Sequence, residues 1–359
     1  MKAALIGLGQ AGGRIAEAVA DADRQAGYGA VRGVLAVNTA RTDLAGLDVD
    51  TMLIGQDRVA GHGVGGDNDL GAEIMEADRG EVLSGLDEIV RADTDAVVLA
   101  AGLGGGTGSG GGPVLARELN RIYEQPIYGL GILPGREEGA IYQANAGQSL
   151  KTFSREADAL LLVENDAWRQ ADESLSASFS AINEKIARRL DLLFAAGEGV
   201  EGVGESVVDS SEVINTLRPG NMAAIGYAAA DAAPDPEDNV NVITSSARRA
   251  LLTGMSVPET TTAESALVLV AGDPDRLSRK GIERARQWIE SETGTMMVRG
   301  GDVPIRGDRI AVVVVLSGIA SSPRLKSFVE RASTASQRAA EKQTDRNSLF
   351  QNDDLEDLF

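Results

Sequence analysis

Short apolar runs recur along the first half of the chain, each closed by glycine, asparagine or proline and followed by a stretch with helical spacing. The runs are Ala3-Ala4-Leu5-Ile6, Val34-Leu35-Ala36-Val37, Ala96-Val97-Val98-Leu99-Ala100-Ala101, and residues 127–133 and 159–164. Segments this short and this uniformly apolar predict strands buried on both faces. Their alternation with helical stretches, at 14–22, from about Ala72, and at 114–119, predicts a parallel α/β sheet. Further on, Leu175, Phe179, Ile182, Ile186, Leu190 and Leu193 repeat at helical spacing and predict one long helix. Residues 223–318 mix helices (241–252, 274–292) with strands (265–271, 295–299, 309–317), which predicts a smaller α/β domain against that helix. A short helix is expected over 323–332. The Ser/Gln/Asp/Glu-rich remainder from Ser333 predicts disorder.

The glycines concentrate at strand ends. Gly102-Leu103-Gly104-Gly105-Gly106-Thr107-Gly108-Ser109-Gly110 links the third run to a helix. Residues without Cβ let backbone N–H groups converge on an anion, Thr107 and Ser109 add hydroxyls, and the next helix offers its positive end. The guest this suits is a polyphosphate, although no lysine follows as in a P-loop. Gly7-Leu8-Gly9-Gln10-Ala11-Gly12-Gly13 fits a dinucleotide fingerprint, so an NAD-dependent oxidoreductase has to be weighed. The second strand ends at Asn38, where that site needs an acidic residue for the ribose, and this argues against it. A further glycine loop, 61–71, carries Gly65, Gly66, Asp67 and Asp69. These carboxylates suit either water-mediated Mg2+ binding or helix capping. His62 reads as an exposed loop residue, and Asn165 lies just past a strand at the edge where open sheets bind ligands.

Gly104-Gly105-Gly106-Thr107-Gly108-Ser109-Gly110 resembles the GGGTG(S/T)G signature of the tubulin/FtsZ superfamily. The resemblance extends from Met1 to about Ser321 and implies the fold: a Rossmann-like GTPase domain (1–167), a central helix (168–200), a C-terminal α/β domain (201–322) and an acidic tail (323–359). It implies GTP/GDP at Gly9, Gln10, Ala11, Gly12, Gly13, Asn38, Gly65, Gly66, the signature Gly104–Ser109 and the ribose-loop Glu138. It also gives guanine to Asn165 and to Phe179 and Asn183, which stand one helical turn apart. Mg2+ would lie near Asp67 and Asp69. Asp209 and Glu212 align with the catalytic loop, while Val207 and Tyr142 replace an Asn and an Arg of FtsZ. By residue chemistry alone, Asp209 and Glu212 read as a helix cap, and Phe179 by itself reads as core.

Composition narrows the class. There is no cysteine and one histidine, which excludes disulfides and thiolate metal sites and disfavours a zinc centre or a Ser-His-Asp triad. A net charge of −20, from 54 acidic against 34 basic residues, argues against nucleic acid as a partner. With six lysines among the basic residues, it points to a halophilic, archaeal source. No stretch is apolar enough to span a bilayer, so a cytoplasmic protein is expected. With Gln10 and Glu212 in tubulin-like form, the chain most resembles the archaeal CetZ family. That resemblance implies head-to-tail filaments, GTP hydrolysis completed between subunits, control of cell shape and motility, a cortical location, and a tail able to meet a membrane adaptor. A division-type FtsZ and a filament with little hydrolysis are the alternatives.

Overall fold

Each apolar run of the first half forms a strand, and each glycine loop turns it into a helix. The structure is a computed structural model that describes residues 1–168, 175–198, 208–320 and 322–349, with backbone alone at 175–178, 340 and 342–349. The chain runs β1 (Ala3–Leu8), α1 (Gly9–Ala26), β2 (Val31–Asn38), α2 (Arg41–Leu44), β3 (Asp50–Leu53), α3 (Gln56–Val59) and α4 (Asn68–Leu86). It continues through β4 (Ala96–Gly102), α5 (Thr107–Ile122), β5 (Ile127–Leu133), α6 (Ala140–Glu156) and β6 (Ala159–Glu164) to α7 (Leu175–Phe194). The second half holds α8 (Ser210–Leu217), β7 (Met222–Asp231), α9 (Asn239–Leu252), β8 (Ser265–Gly272), α10 (Arg279–Thr293), β9 (Val298–Pro304), β10 (Arg309–Ile319) and α11 (Pro323–Leu349).

One sheet contains all ten of these strands, in the order β3-β2-β1-β4-β5-β6-β7-β10-β8-β9. The first six are mutually parallel, and chain order reverses between β1 and β4. β6 meets β7 over only two residue pairs, Leu160 with Met222 and Leu161 with Ala223. Beyond it, β10 runs antiparallel to both neighbours. Alternation along the strands feeds two cores: Ala4, Ile6 and Leu8 enter one, Ala3 and Leu5 the other. The first is closed by α4, α5, α6, α9, α10 and α11 through residues such as Ile74, Leu115, Phe153, Ile243, Ile289 and Phe328. The second is closed by α1, α7 and α8 through Ile15, Val19, Ile186, Leu190 and Val213.

Several boundaries differ from the sequence pattern, each for a local reason. α5 starts at Thr107, so Gly108, Gly110, Gly111 and Gly112 lie inside a helix, and the missing side chains of the last three let α4 and α6 pack close. α4 starts at Asn68 because Asp67 caps it, accepting from Leu70 N at 2.9 Å. α10 starts at Arg279 behind the Ser278 cap. The strand expected over 295–299 forms instead at Val298–Pro304, since Met296 stands 91% exposed in the preceding turn. The short helix and disorder expected beyond Pro323 are corrected as far as Leu349: α11 runs on, with Phe328, Ala332 and Ala335 buried. The acidic end, 350–359, and Val207 lie outside the described residues.

Candidate nucleotide site

α1 and α5 both begin at the carboxyl edge of the sheet, immediately after β1 and β4, where the strand order reverses. Neither has a side-chain cap: Leu8 and Gly106 stand at the cap positions without a capping hydrogen bond. Two sets of unpaired helix N–H groups therefore open into one crevice, a ready receptor for an anion. Gly9 turns into α1 at φ +69, and a Cβ there would lie 3.2 Å from Gly108 N, so the two loops are in contact. Gly12 serves packing instead. Its Cβ would sit 2.1 Å from the Ala100 carbonyl, and only glycine lets α1 lie on β4.

The neighbouring strand ends tie into the same edge. Asn38, 2% exposed, accepts from Thr39 N at 2.8 Å and Ala40 N at 3.2 Å, turning the chain out of β2. The Thr39 and Thr107 hydroxyls meet at 2.7 Å, and Thr107 also donates to Asn38 Oδ1 at 3.4 Å. The Ser109 hydroxyl donates back to the Gly105 carbonyl and is spent within the loop, leaving only its backbone for an anion. In the ribose loop, Glu138 Oε1 accepts from Gly135 N at 2.7 Å and from Asn165 Nδ2 at 3.2 Å, so these two expected residues come together. Phe179 is 46% exposed on α7 and therefore not core. Half-buried Asn183, one turn on, lines a cavity of about 940 Å3 between α1 and α7.

Residues that sequence reasoning missed hold the loops in place. Asn145 on α6 donates to the Gly66 carbonyl at 2.7 Å and the Gly104 carbonyl at 3.0 Å, bridging two phosphate-type loops. Gln143 Nε2 anchors the Gly135 carbonyl at 2.6 Å. No periodic signal marks them, since both are polar residues in an ordinary helical run. The metal expectation fares differently. Asp67 is used as the α4 cap, and Asp69 lines a separate small cavity with Ser109, Pro113 and Arg117. Among the described residues no cluster of three or more His, Asp or Glu can hold a metal ion. Only Oδ1 of Asp67 is taken by the cap, and Asp69 is exposed, so both keep an oxygen for a water-mediated contact but form no direct-ligand cluster among the described residues. His62 is exposed, as expected.

Asp209 and Glu212 lie at the other end of the molecule. The amino group of Met1, where β1 starts, donates to the carbonyls of Phe194 and Ala196 and so fixes the end of α7 at the amino edge of the sheet. Gly197 follows, and a Cβ on it would fall 3.2 Å from Ser210 N and 3.5 Å from Asp209 Cα. The carboxylate pair thus sits beside the start of β1, whereas the crevice opens at its far end. Asp209 caps α8, accepting from Glu212 N at 3.1 Å and from the Ser211 hydroxyl at 2.6 Å, and these bonds hold its pKa below the usual range. Glu212 is shifted the other way, raised first by burial and then by Asp209, with Arg299 and Arg286 opposing.

Comparison with known proteins fits this geometry. Residues 2–172 match the tubulin/FtsZ family GTPase domain, and residues 172–334 match the tubulin-like CetZ C-terminal domain. The chain is 58% identical to tubulin-like protein CetZ2 of Haloferax volcanii over 360 residues, all of both chains. The chain belongs to the CetZ family. The GTPγS-bound protofilament structure of Haloferax CetZ2 superposes with a TM-score of 0.91, covering 95% of this chain and 100% of that one. The GDP-bound monomer of Haloferax CetZ1, 48% identical, gives 0.86 over 93% and 99%. An FtsZ dimer from M. jannaschii, at 22% identity and 0.71, shares the fold. Membership of the CetZ family removes the NAD-dependent oxidoreductase from consideration, and the glycines after β1 belong to a tubulin-type loop.

Proposed function

We propose that this chain binds GTP in the crevice between α1 and α5, assembles head-to-tail, and hydrolyses GTP where Asp209 and Glu212 of one subunit meet the nucleotide of the next. The observation that carries the reading is the separation of the two halves of the site. The anion crevice opens at one edge of the sheet, and the carboxylate pair sits at the other. A contact pairing unlike surfaces does not close and builds a filament. The GTPγS-bound protofilament and the GDP-bound monomer of the Haloferax relatives support both the nucleotide and the assembly.

In this reading the guanine stacks on Phe179 and bonds to Asn183 and Asn165, and Glu138 takes a ribose hydroxyl. The N–H groups of α1 and α5 hold the phosphates, with Asn145 fixing the loops around them. Glu212, with its raised proton affinity, suits a general base. A water oxygen bonds to the γ-phosphorus and gives its proton to Glu212. The bond to the bridging oxygen breaks, and GDP departs with the electron pair. Mg2+ enters only as the counter-ion brought by the triphosphate, and no step passes through Asp67 or Asp69. The functional units are 1–167 for GTP, 168–200 for the central helix, 201–322 for the C-terminal part and 323–359 for the tail. Control of cell shape and motility, cortical filaments and an adaptor bound by the tail belong to the same proposal.

The test is GTP turnover against protein concentration in concentrated KCl, with light scattering recorded in parallel. Turnover per subunit is expected to rise with scattering above a threshold, and Glu212→Ala is expected to scatter while losing about a hundredfold in turnover. Turnover independent of concentration, or unaffected in assembled Glu212→Ala, overturns the reading.

A further inference from the structure

The crevice is short of positive charge. Residues 7–13, 38–39, 61–71 and 102–110 contain neither Lys nor Arg. The nearest arginines are already engaged: Arg14 donates to the Gly46 carbonyl at 2.7 Å, Arg41 reaches Gln56, and Arg136 sits 4.0 Å from Asp166. Helix ends and loop amides solvate a phosphate ground state, but hydrolysis shifts charge among phosphate oxygens that a fixed cation stabilises best. Apart from the Mg2+ that accompanies the triphosphate, these segments supply no cationic side chain of their own.

The opposite pole has it. α8 packs on β8, β9 and β10, and Val208 N donates to the Asp302 carbonyl of β9 at 3.4 Å. β9 carries Arg299, and Arg286 of α10 reaches the same strand at the Val298 carbonyl, so α8 with Glu212 and both guanidinia gather on β9, close enough for both charges to act on Glu212. Each guanidinium is oriented by one neutral anchor: Arg286 Nη2 donates to the Val298 carbonyl at 3.3 Å, and Arg299 Nη1 donates to Ser265 Oγ at 3.3 Å. Neither forms an ion pair among the described residues, in a chain whose acidic groups outnumber basic ones by 54 to 34. Arg286 is exposed, Arg299 half-buried. Two oriented guanidinia with spare donors, held on the strand against which the Glu212 helix packs, suit a phosphate arriving from outside the subunit.

We propose that Arg286 and Arg299 contact the phosphates of the nucleotide held by the adjacent subunit, supplying in trans the positive charge that the crevice lacks. The inference rests on the head-to-tail reading. It gives the second half of the chain a direct part in the reaction beyond carrying the Asp209–Glu212 loop.

Arg286→Ala, Arg299→Ala, the double variant and the Arg→Lys pair are compared with Glu212→Ala. Each is copolymerised with excess parent chain so that assembly is preserved, and turnover is normalised to the pelleted amount of each chain. GTP affinity of the unassembled double variant is expected to equal that of the parent. Turnover at sites facing it is expected to fall about a hundredfold, with part restored by the lysine pair. Full turnover beside the double variant, while Glu212→Ala is inactive, overturns this inference and leaves the head-to-tail reading intact. Full turnover beside both overturns the two together. Loss of GTP affinity in the unassembled double variant also overturns it, because the arginines would then act within their own subunit.

Discussion

Asn183 faces the groove between α1 and α7 half-buried, one helical turn from an exposed Phe179. Among the described residues its amide makes no hydrogen bond that holds the fold, so removing it tests binding with little effect on stability. Asn183→Ala is expected to weaken GTP binding by about tenfold or more, the worth of a hydrogen-bonded base edge. Titration of unassembled protein with a fluorescent GTP analogue, together with an unchanged thermal midpoint, checks it. Residues at this scale differ in how visible they are in the sequence. Glu138 and Asn165 follow strand ends, where ligand edges lie, and the structure joins them. Asn145 and Thr39 bind backbone and hydroxyl groups distant in sequence, 79 residues for Asn145 to Gly66 and 68 for Thr39 to Thr107, and no spacing rule reaches that far.

Helices join the site to the rest of the chain. The first turn of α11 is pinned to the end of β6 by Arg324 Nε on Glu164 Oε2 at 2.7 Å, with Glu164 only 2% exposed. Arg324→Ala would strand a buried carboxylate and is expected to cost about 3 kcal/mol in a denaturant titration. At the α1–α7 seam, burial and then Asp23 raise Asp191 from 3.8 to about 7, and one of its oxygens is buried without a partner among the described residues. A carboxyl whose folded value is raised holds its proton more tightly in the native state. Its contribution is therefore complete below pH 3.8 and lost as pH rises through 7. Asp191→Asn cannot ionise, so its thermal midpoint is expected above the parent's at pH 8, the gap closing as pH falls toward 4. Element boundaries were legible where one pattern ruled, as in β5 and β6. They were not where composition masked it: the polar stretch after Ser333 hides Ala335, which extends the buried stripe of Phe328 and Ala332 on the helix that packs against α6.

The whole molecule is a single sheet narrowed to two residue pairs between β6 and β7, wrapped in a surface with a net charge of −20. Self-repulsion of that surface weakens as the screening length falls from about 10 Å at 0.1 M salt to about 3 Å at 1 M. Thermal midpoints are expected to rise over that range of KCl, as read by circular dichroism, and a flat response would contradict the electrostatic account. Apolar periodicity made the parallel half legible from sequence, whereas the join to the second half is set by two backbone pairings that leave no trace in composition. If Asp209 and Glu212 act across the proposed head-to-tail contact, their placement at the amino edge carries a consequence for a growing polymer. The terminal subunit whose crevice faces solvent would have no neighbour to donate a carboxylate, so its triphosphate would stay whole until another chain arrived. Each addition would age the nucleotide beneath it and leave a fresh one on top. Such a filament would keep a loaded tip by geometry alone and grow as a polar track with two unlike ends.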